Sequence, residues 1–150
     1  MSGIDFIALH DRYQALAKAD GGFRSQLGKR IGHPDDLYDR PAFYQLFAGY
    51  RELPKWAARV AFMLPCCRHA TDAKPLGAQL AAAKVGEARV MQVARAGAPN
   101  DLIQLRRLLM RIEPTVNWAE FGWTLVGWET PDKKRQLIAD FFIGQSIQTK

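Results

Sequence analysis

The sequence predicts an all-α protein, a compact bundle of about eight or nine short helices. The observations behind that expectation are an absence and a pattern. No segment alternates apolar and polar residues with the period of two that a half-buried strand requires. Apolar residues instead recur at spacings of three and four, and Gly and Pro fall between those segments as punctuation. The clearest case runs from Asp101 to Ile112. At 100° per residue, Leu102, Leu105, Leu108, Leu109 and Ile112 fall within one arc of about 120°, with Gln104, Arg107 and Arg111 opposite.

Taken in order, an amphipathic helix is expected over Ile4–Lys18, with Phe6, Leu9, Tyr13 and Leu16 on one side and Asp20-Gly21-Gly22 as its stop. A short helix follows over Phe23–Ile31, and His33-Pro34-Asp35-Asp36 breaks it. Pro41 opens a helix carrying Phe43, Leu46 and Phe47; Pro54 opens another carrying Trp56, Val60, Phe62 and Met63, which Pro65 stops. Beyond a loop at Arg68–Pro75, helices are expected over Leu76–Ala83, Gly86–Ala96, Asn100–Ile112, Trp118–Trp128 and Pro131–Ile143. Asn100, Asn117 and Thr130 are the expected N-caps. No repeat, low-complexity segment or long linker interrupts the chain, so residues 1–150 are expected to form one helical domain. The Arg68–Pro75 loop is the one place where it could part into two helical halves.

A chain of 150 residues with 48% hydrophobic content can bury a core, which excludes disorder. Lys and Arg number 21 against 15 Asp and Glu, giving +6 and an isoelectric point near 9.6. Such an excess favours polyanions through long-range attraction and counterion release. The start, Met1-Ser2-Gly3-Ile4-Asp5, has no basic or apolar signal region, and the longest uncharged run, Pro41–Tyr50, is ten residues. A soluble cytoplasmic protein without a membrane partner is expected. Cys66 and Cys67 are adjacent, a spacing that suits neither an ordinary disulfide nor a zinc site, so they read as plain thiols.

No catalytic constellation is visible, and no cofactor or metal site is expected. Gly22 to Gly28-Lys29-Arg30 looks like a phosphate-binding loop, but five residues separate the glycines instead of four, and Arg30 stands where Ser or Thr must hold magnesium. His10, His33 and His69 show no metal-ligand spacing. Carboxylates such as Asp35, Asp101 and Asp132 fall where helix N-termini favour negative charge, and are not clustered as a two-metal nuclease needs. The expectation is a protein that is not an enzyme.

What the sequence does offer is cations on helix faces. Arg89, Gln92 and Arg95 lie opposite Val90, Val93 and Ala94; Arg107 and Arg111 repeat the pattern one helix later. Like charges at i,i+4 repel by a few tenths of a kcal/mol, so an anionic partner such as phosphate would relieve them. Lys133, Lys134 and Arg135 open the last helix, where cations oppose the macrodipole and lose roughly 0.3–1 kcal/mol. Arg24, Lys29, Arg30 and Lys55 add charge without nearby acids. Arg106 differs, because it falls inside the apolar arc between Leu102 and Met110, a position that suits an ion pair or an intersubunit contact as well as a strand. Trp56, Trp118, Trp123, Trp128 and Phe141-Phe142 could stack bases, but their helical spacing favours burial. Recognition would then run through phosphates and be blind to sequence.

These residues also carry a resemblance. Asp-Leu-Ile-Gln-Leu-Arg-Arg-Leu-Leu (101–109), Glu-Pro-Thr-Val-Asn-Trp (113–118), Trp128 and Arg-Gln-Leu-Ile-Ala-Asp-Phe (135–141) resemble the CasB family, the small subunit of the type I-E CRISPR surveillance complex Cascade. Pro41-Ala42-Phe43-Tyr44 and Leu76-Gly77-x-x-Leu80-Ala81 match as well, so the likeness spans nearly the whole chain. It implies an all-helical, non-catalytic subunit of antiviral defence, present in more than one copy. The implied partners are the large subunit CasA, the backbone subunit CasC, a second copy of itself, guide RNA, and target and non-target DNA. It further implies that the basic face stabilises the R-loop, chiefly by gripping the displaced non-target strand, a near-balanced exchange in which modest contacts decide the outcome. Matching positions carry strand contact to Lys29, Arg30, Lys55, Arg95, Arg106 and Arg107. Arg89, Arg111, Lys133 and Lys134 complete the expected nucleic-acid-binding set. The turn Glu129-Thr130-Pro131-Asp132 departs from the more basic and slightly shorter family segment, which loosens the register of Lys133 and Lys134. The alternative implied role is a structural assembly subunit whose basic residues contact neighbouring subunits or guide RNA.

Overall fold

A computed structural model describes residues 4–28 and 31–148. Its elements are α1 (Phe6–Ala19), α2 (Gly21–Leu27), a 3-10 helix (Pro34–Asp39), α3 (Pro41–Leu46), α4 (Ala57–Met63), a 3-10 turn (Leu64–Cys66), β1 (Arg68–His69), α5 (Leu76–Ala82), α6 (Glu87–Arg95), α7 (Asn100–Ile112), β2 (Thr115–Val116), α8 (Trp118–Val126) and α9 (Pro131–Gln148). The architecture is all-α.

Local chemistry explains most of the boundaries. Asp5 caps α1 by accepting from the Ala8 N–H at 2.9 Å. Asp20 ends α1 and also caps α2, accepting from the Gly22 N–H at 2.8 Å, so the glycine pair opens the next helix as well as following the last. His33-Pro34-Asp35-Asp36 forms a 3-10 turn where a plain break was expected. The His33 ring accepts from the Asp35 N–H at 3.0 Å, while Asp36 accepts from the His33 N–H at 3.2 Å. Asn117 caps α8 as expected, through the Ala119 N–H at 3.0 Å. The other two expected caps differ. Asn100 is already the first residue of α7, and the Thr130 hydroxyl donates to the Gly127 carbonyl.

Two features lie beyond sequence periodicity. β1 pairs with β2 in parallel, Arg68 opposite Thr115 and His69 opposite Val116, in strands too short to show any alternation. Gln79 of α5 and Asn117 add bonds from the same region to Thr115 and Thr71, so the Arg68–Pro75 segment is stitched to the second half of the chain. Helix α9 also continues past Ile143, because Gly144 is a contact and not a stop: a Cβ there would come within 3.0 Å of Ala78 in α5. Opposite it, a Cβ on Gly77 would meet the Phe141 nitrogen at 2.7 Å. Helices α5 and α9 therefore pack closely along small residues.

One apolar cluster joins these elements, with Phe6, Phe43, Phe62, Trp118 and Phe141 fully enclosed. Trp56 and Trp128 are buried with them, whereas Trp123 is 46% exposed and Phe142 lies at the surface. Among the described residues no helix is long and apolar enough to cross a membrane.

Candidate nucleic-acid interface

Helix α6 packs on α7, with Val90 and Val93 inward and Arg89, Gln92 and Arg95 exposed. The groove between the two polar faces encloses about 570 Å³ and is lined by Arg89, Gln92, Gln104, Arg107 and Arg111 over Val93 and Leu108. Three guanidinium groups and two amides, all hydrogen-bond donors, thus face one concavity with no carboxylate in its wall. A second groove of about 800 Å³ lies on the other side of α7, lined by Tyr13, Arg24, Gly28, Ile103, Arg107 and Met110 among others. Arg107 belongs to both. Arg24 and Arg107 line the second groove and Arg89, Arg107 and Arg111 the first, and none of these four joins an ion pair among the described residues. Glu113 is the one acid in the second groove, and it faces Arg68 at 3.7 Å.

The remaining expected residues fall elsewhere. Lys29 and Arg30 lie outside the described residues. Lys55 is exposed in the turn before α4, and Arg95 is exposed at the end of α6, outside both grooves. Lys133 lines a separate hollow of about 320 Å³ between α5, α8 and α9, beside Glu120, Asp132 and Asp140. Two of the expected residues are engaged within the chain. Lys134 is committed internally, to Asp101 at 2.8 Å and to the Ala96 carbonyl at 3.0 Å. Arg106 is only 4% exposed and donates to the carbonyls of Phe62, Leu27 and Gly28, with its guanidinium 4.4 Å above the Phe62 ring. Leu27 and Gly28 end α2 and Phe62 lies in the last turn of α4, so Arg106 donates to carbonyls at two helix C-termini, of which Phe62 also accepts from Cys66 Sγ and Gly28 from the Ile31 N–H.

Sequence reasoning counted Arg24 among the cations without nearby acids but not in the binding set, and left Tyr13 out altogether. Arg24 lines the second groove with Gly21 and Gly28; Arg24 and Gly21 are exposed positions of α2 and Gly28 is its C-cap, beside buried Phe23 and Leu27. Tyr13 was hidden in an apolar stripe.

The histidines, Asp101 and the cysteines lie among the structural contacts. His10 is buried, its ring stacked on Trp118 at 5.9 Å, and burial lowers its pKa. The His69 Nδ1 accepts from the Trp118 backbone N–H at 3.1 Å, so the two histidines converge on one tryptophan. Asp101 is no simple helix cap, since it accepts from Trp128 Nε1 at 2.9 Å as well as from Lys134. Cys66 and Cys67 are buried free thiols, and burial pushes Cys66 up to about 11. Among the described residues no group of three or more His, Cys, Asp or Glu side chains could hold a metal ion.

No family model matches the chain. Among curated proteins, it is 33% identical to the CRISPR system Cascade subunit CasB of Escherichia coli (strain K12) over 155 aligned positions, which cover 93% of this chain and 94% of that protein. Among solved structures, it superposes with a TM-score of 0.84 and 32% identity on a chain in the crystal structure of E. coli Cascade bound to a PAM-containing dsDNA target, covering 95% of this chain and 99% of that one. The chain belongs to the CasB family of CRISPR Cascade subunits.

Proposed function

We propose that this chain is a non-catalytic Cascade subunit that holds nucleic acid by its phosphates and stabilises the R-loop, chiefly by gripping the displaced non-target strand. It would act as a single unit alongside the large subunit CasA, the backbone subunit CasC and a second copy of itself. The observation that carries this reading is that Arg24 of α2 shares a groove with Arg107, which shares another with Arg89 and Arg111, so α2 joins the distant consecutive pair α6 and α7, with these four free of ion pairs among the described residues. Side-by-side cations without acids repel one another, and a phosphate chain relieves that repulsion along its length. The crystallised E. coli Cascade to which the chain is similar is bound to a dsDNA target, which agrees with such a role.

The test is a Cascade reconstituted with Arg89→Ala, Arg107→Ala and Arg111→Ala together. Each phosphate released from a single strand removes about 0.7 from the slope of log affinity against log salt, so the triple variant should lose about 2. Assembly, followed by size-exclusion chromatography, should be unchanged. Failure to assemble before DNA is added would favour the alternative role in subunit contacts. An unchanged slope in an assembled complex would reject the phosphate reading.

A further inference from the structure

The groove between α1, α2 and α7 contains a donor without an acceptor among the described residues. Tyr13 is 6% exposed, its ring 5.9 Å from that of Phe23, yet its hydroxyl takes part in none of the hydrogen bonds among the described residues. No fully enclosed side-chain polar atom among those residues lacks a partner, so the hydroxyl must reach the open space of the groove that Tyr13 lines. A phenol that is buried at its ring and free at its oxygen is placed to donate to something that enters.

The charge around it says what would enter. Arg106 brings a full positive charge into the groove floor, and its bonds go to neutral carbonyls, which orient the guanidinium without cancelling its charge. Arg24 and Arg107 stand in the walls without ion pairs among the described residues. Burial raises the Tyr13 pKa from its ordinary value of 10.0, which keeps the phenol protonated and a donor at neutral pH. Beside these donors the wall turns apolar, at Ile31, Ile103 and Met110.

We infer that this groove seats one phosphodiester group of a bound single strand, with the Tyr13 hydroxyl donating to a phosphate oxygen, Arg24 and Arg107 flanking it, and the adjoining sugar and base lying against Ile103 and Met110. The inference rests on the phosphate reading above and adds a specific seat to it. It also divides the labour of binding. The arginines act through charge and are sensitive to salt, whereas Tyr13 acts through one directed hydrogen bond and is not.

The experiment measures binding of a fluorescein-labelled oligothymidylate to the full chain by anisotropy across a salt series, for wild type, Tyr13→Phe and Arg24→Gln. Tyr13→Phe keeps the buried ring and removes a hydroxyl without a hydrogen-bond partner among the described residues, so the fold should be retained, as a melting curve will verify. A hydrogen bond to a charged group is worth enough that its loss should weaken binding about tenfold. The salt slope should not change, because no counterion is involved. Arg24→Gln should lower the slope by about 0.7. Wild-type affinity in folded Tyr13→Phe overturns the seat. If the Arg89, Arg107 and Arg111 triple variant loses affinity in that same assay, the seat alone has failed; if it too binds normally, the phosphate reading has failed. A titration with inorganic phosphate at matched ionic strength separates the sources. It should not displace the oligonucleotide beyond the general salt effect, and saturable displacement that Tyr13→Phe abolishes would assign the seat to free phosphate and overturn its assignment to a strand.

Discussion

Replacing Arg106 by Ala should be among the most destabilising single changes in the chain, and Arg107→Ala, its neighbour, among the least. The contrast follows from where the two guanidinium groups go. Arg106 is buried and supplies bonds to the Phe62 and Leu27 carbonyls and, at 2.7 Å, to the Gly28 carbonyl, joining the ends of α2 and α4 to the middle of α7. Truncation leaves helix-end carbonyls without their cation, at about 1–3 kcal/mol for each buried group that water cannot reach. It also opens a cavity beside the Phe62 ring. Gly28 retains the Ile31 N–H as a second partner, which limits the loss there. A total of about 3–5 kcal/mol follows, a large share of a stability of order 5–15 kcal/mol. For a chain of this size that corresponds to a drop in Tm of roughly 6–20 °C. Arg107 is exposed, and its removal should change stability by no more than about 0.5 kcal/mol. Urea unfolding followed by far-UV circular dichroism reads both, and Arg106→Lys, which keeps the charge but loses the fork, should fall between them. Equal urea midpoints for Arg106→Ala and Arg107→Ala would refute the reasoning and return Arg106 to the set of residues free to meet a ligand.

Asp101→Asn should cost about 3–5 kcal/mol, measured in the same urea assay, because it leaves Lys134 with a neutral partner in a largely buried pair and disturbs the Trp128 bond. His10 should make stability fall below neutral pH. Its folded-state pKa lies below the ordinary 6.5, so the unfolded chain takes up the proton first; the contribution is complete above pH 6.5 and is lost as pH falls toward the folded value. His10→Phe should flatten that part of the stability–pH curve measured by thermal melts. Cys66, buried and pushed up to about 11, should react with a thiol reagent at pH 8 only at the rate of local opening, and fast labelling of the native chain would contradict its burial.

What was legible in the sequence was whatever depends on neighbours along the chain. Helices α5 to α8 sit within two residues of their expected ends, since Gly86, Asn117 and the Leu102–Ile112 arc act locally. The inward face of α6 follows from the spacing of Val90 and Val93. Illegible features depend on distant contacts. Gly144 looks like a helix stop until α5 is placed against it, and a two-residue strand has no period to detect. For the site, the facing cations of α6 and α7 were visible one helix at a time, but that Arg24 shares a groove with Arg107 required the tertiary fold. Tyr13 counted as apolar because its place in a helical stripe says nothing about where its one oxygen points.

The same distinction explains why a net charge of +6 overstates the cationic surface. A bundle of many short helices carries many C-terminal carbonyls, each end with up to four that lack an intrahelical partner. Long cationic side chains reach these from elsewhere in the chain. Arg59 donates to Leu125 and Val126 at the end of α8, Arg106 serves α2 and α4, and Lys134 binds Ala96 at the end of α6. The partners lie 38 to 79 residues away, so no local pattern distinguishes a cation used in this way from one facing solvent. The dipole makes the arrangement favourable at each helix end. Some basic residues in this chain therefore close helices, and among those that do not, Arg24, Arg89, Arg107 and Arg111 line the grooves beside α7. The Arg106 bonds tie the ends of α2 and α4 to the middle of α7, the helix that lies between the two grooves. Folding and binding draw on the same residue types, but on different members of the set, which is why adjacent Arg106 and Arg107 should respond so differently to the same substitution.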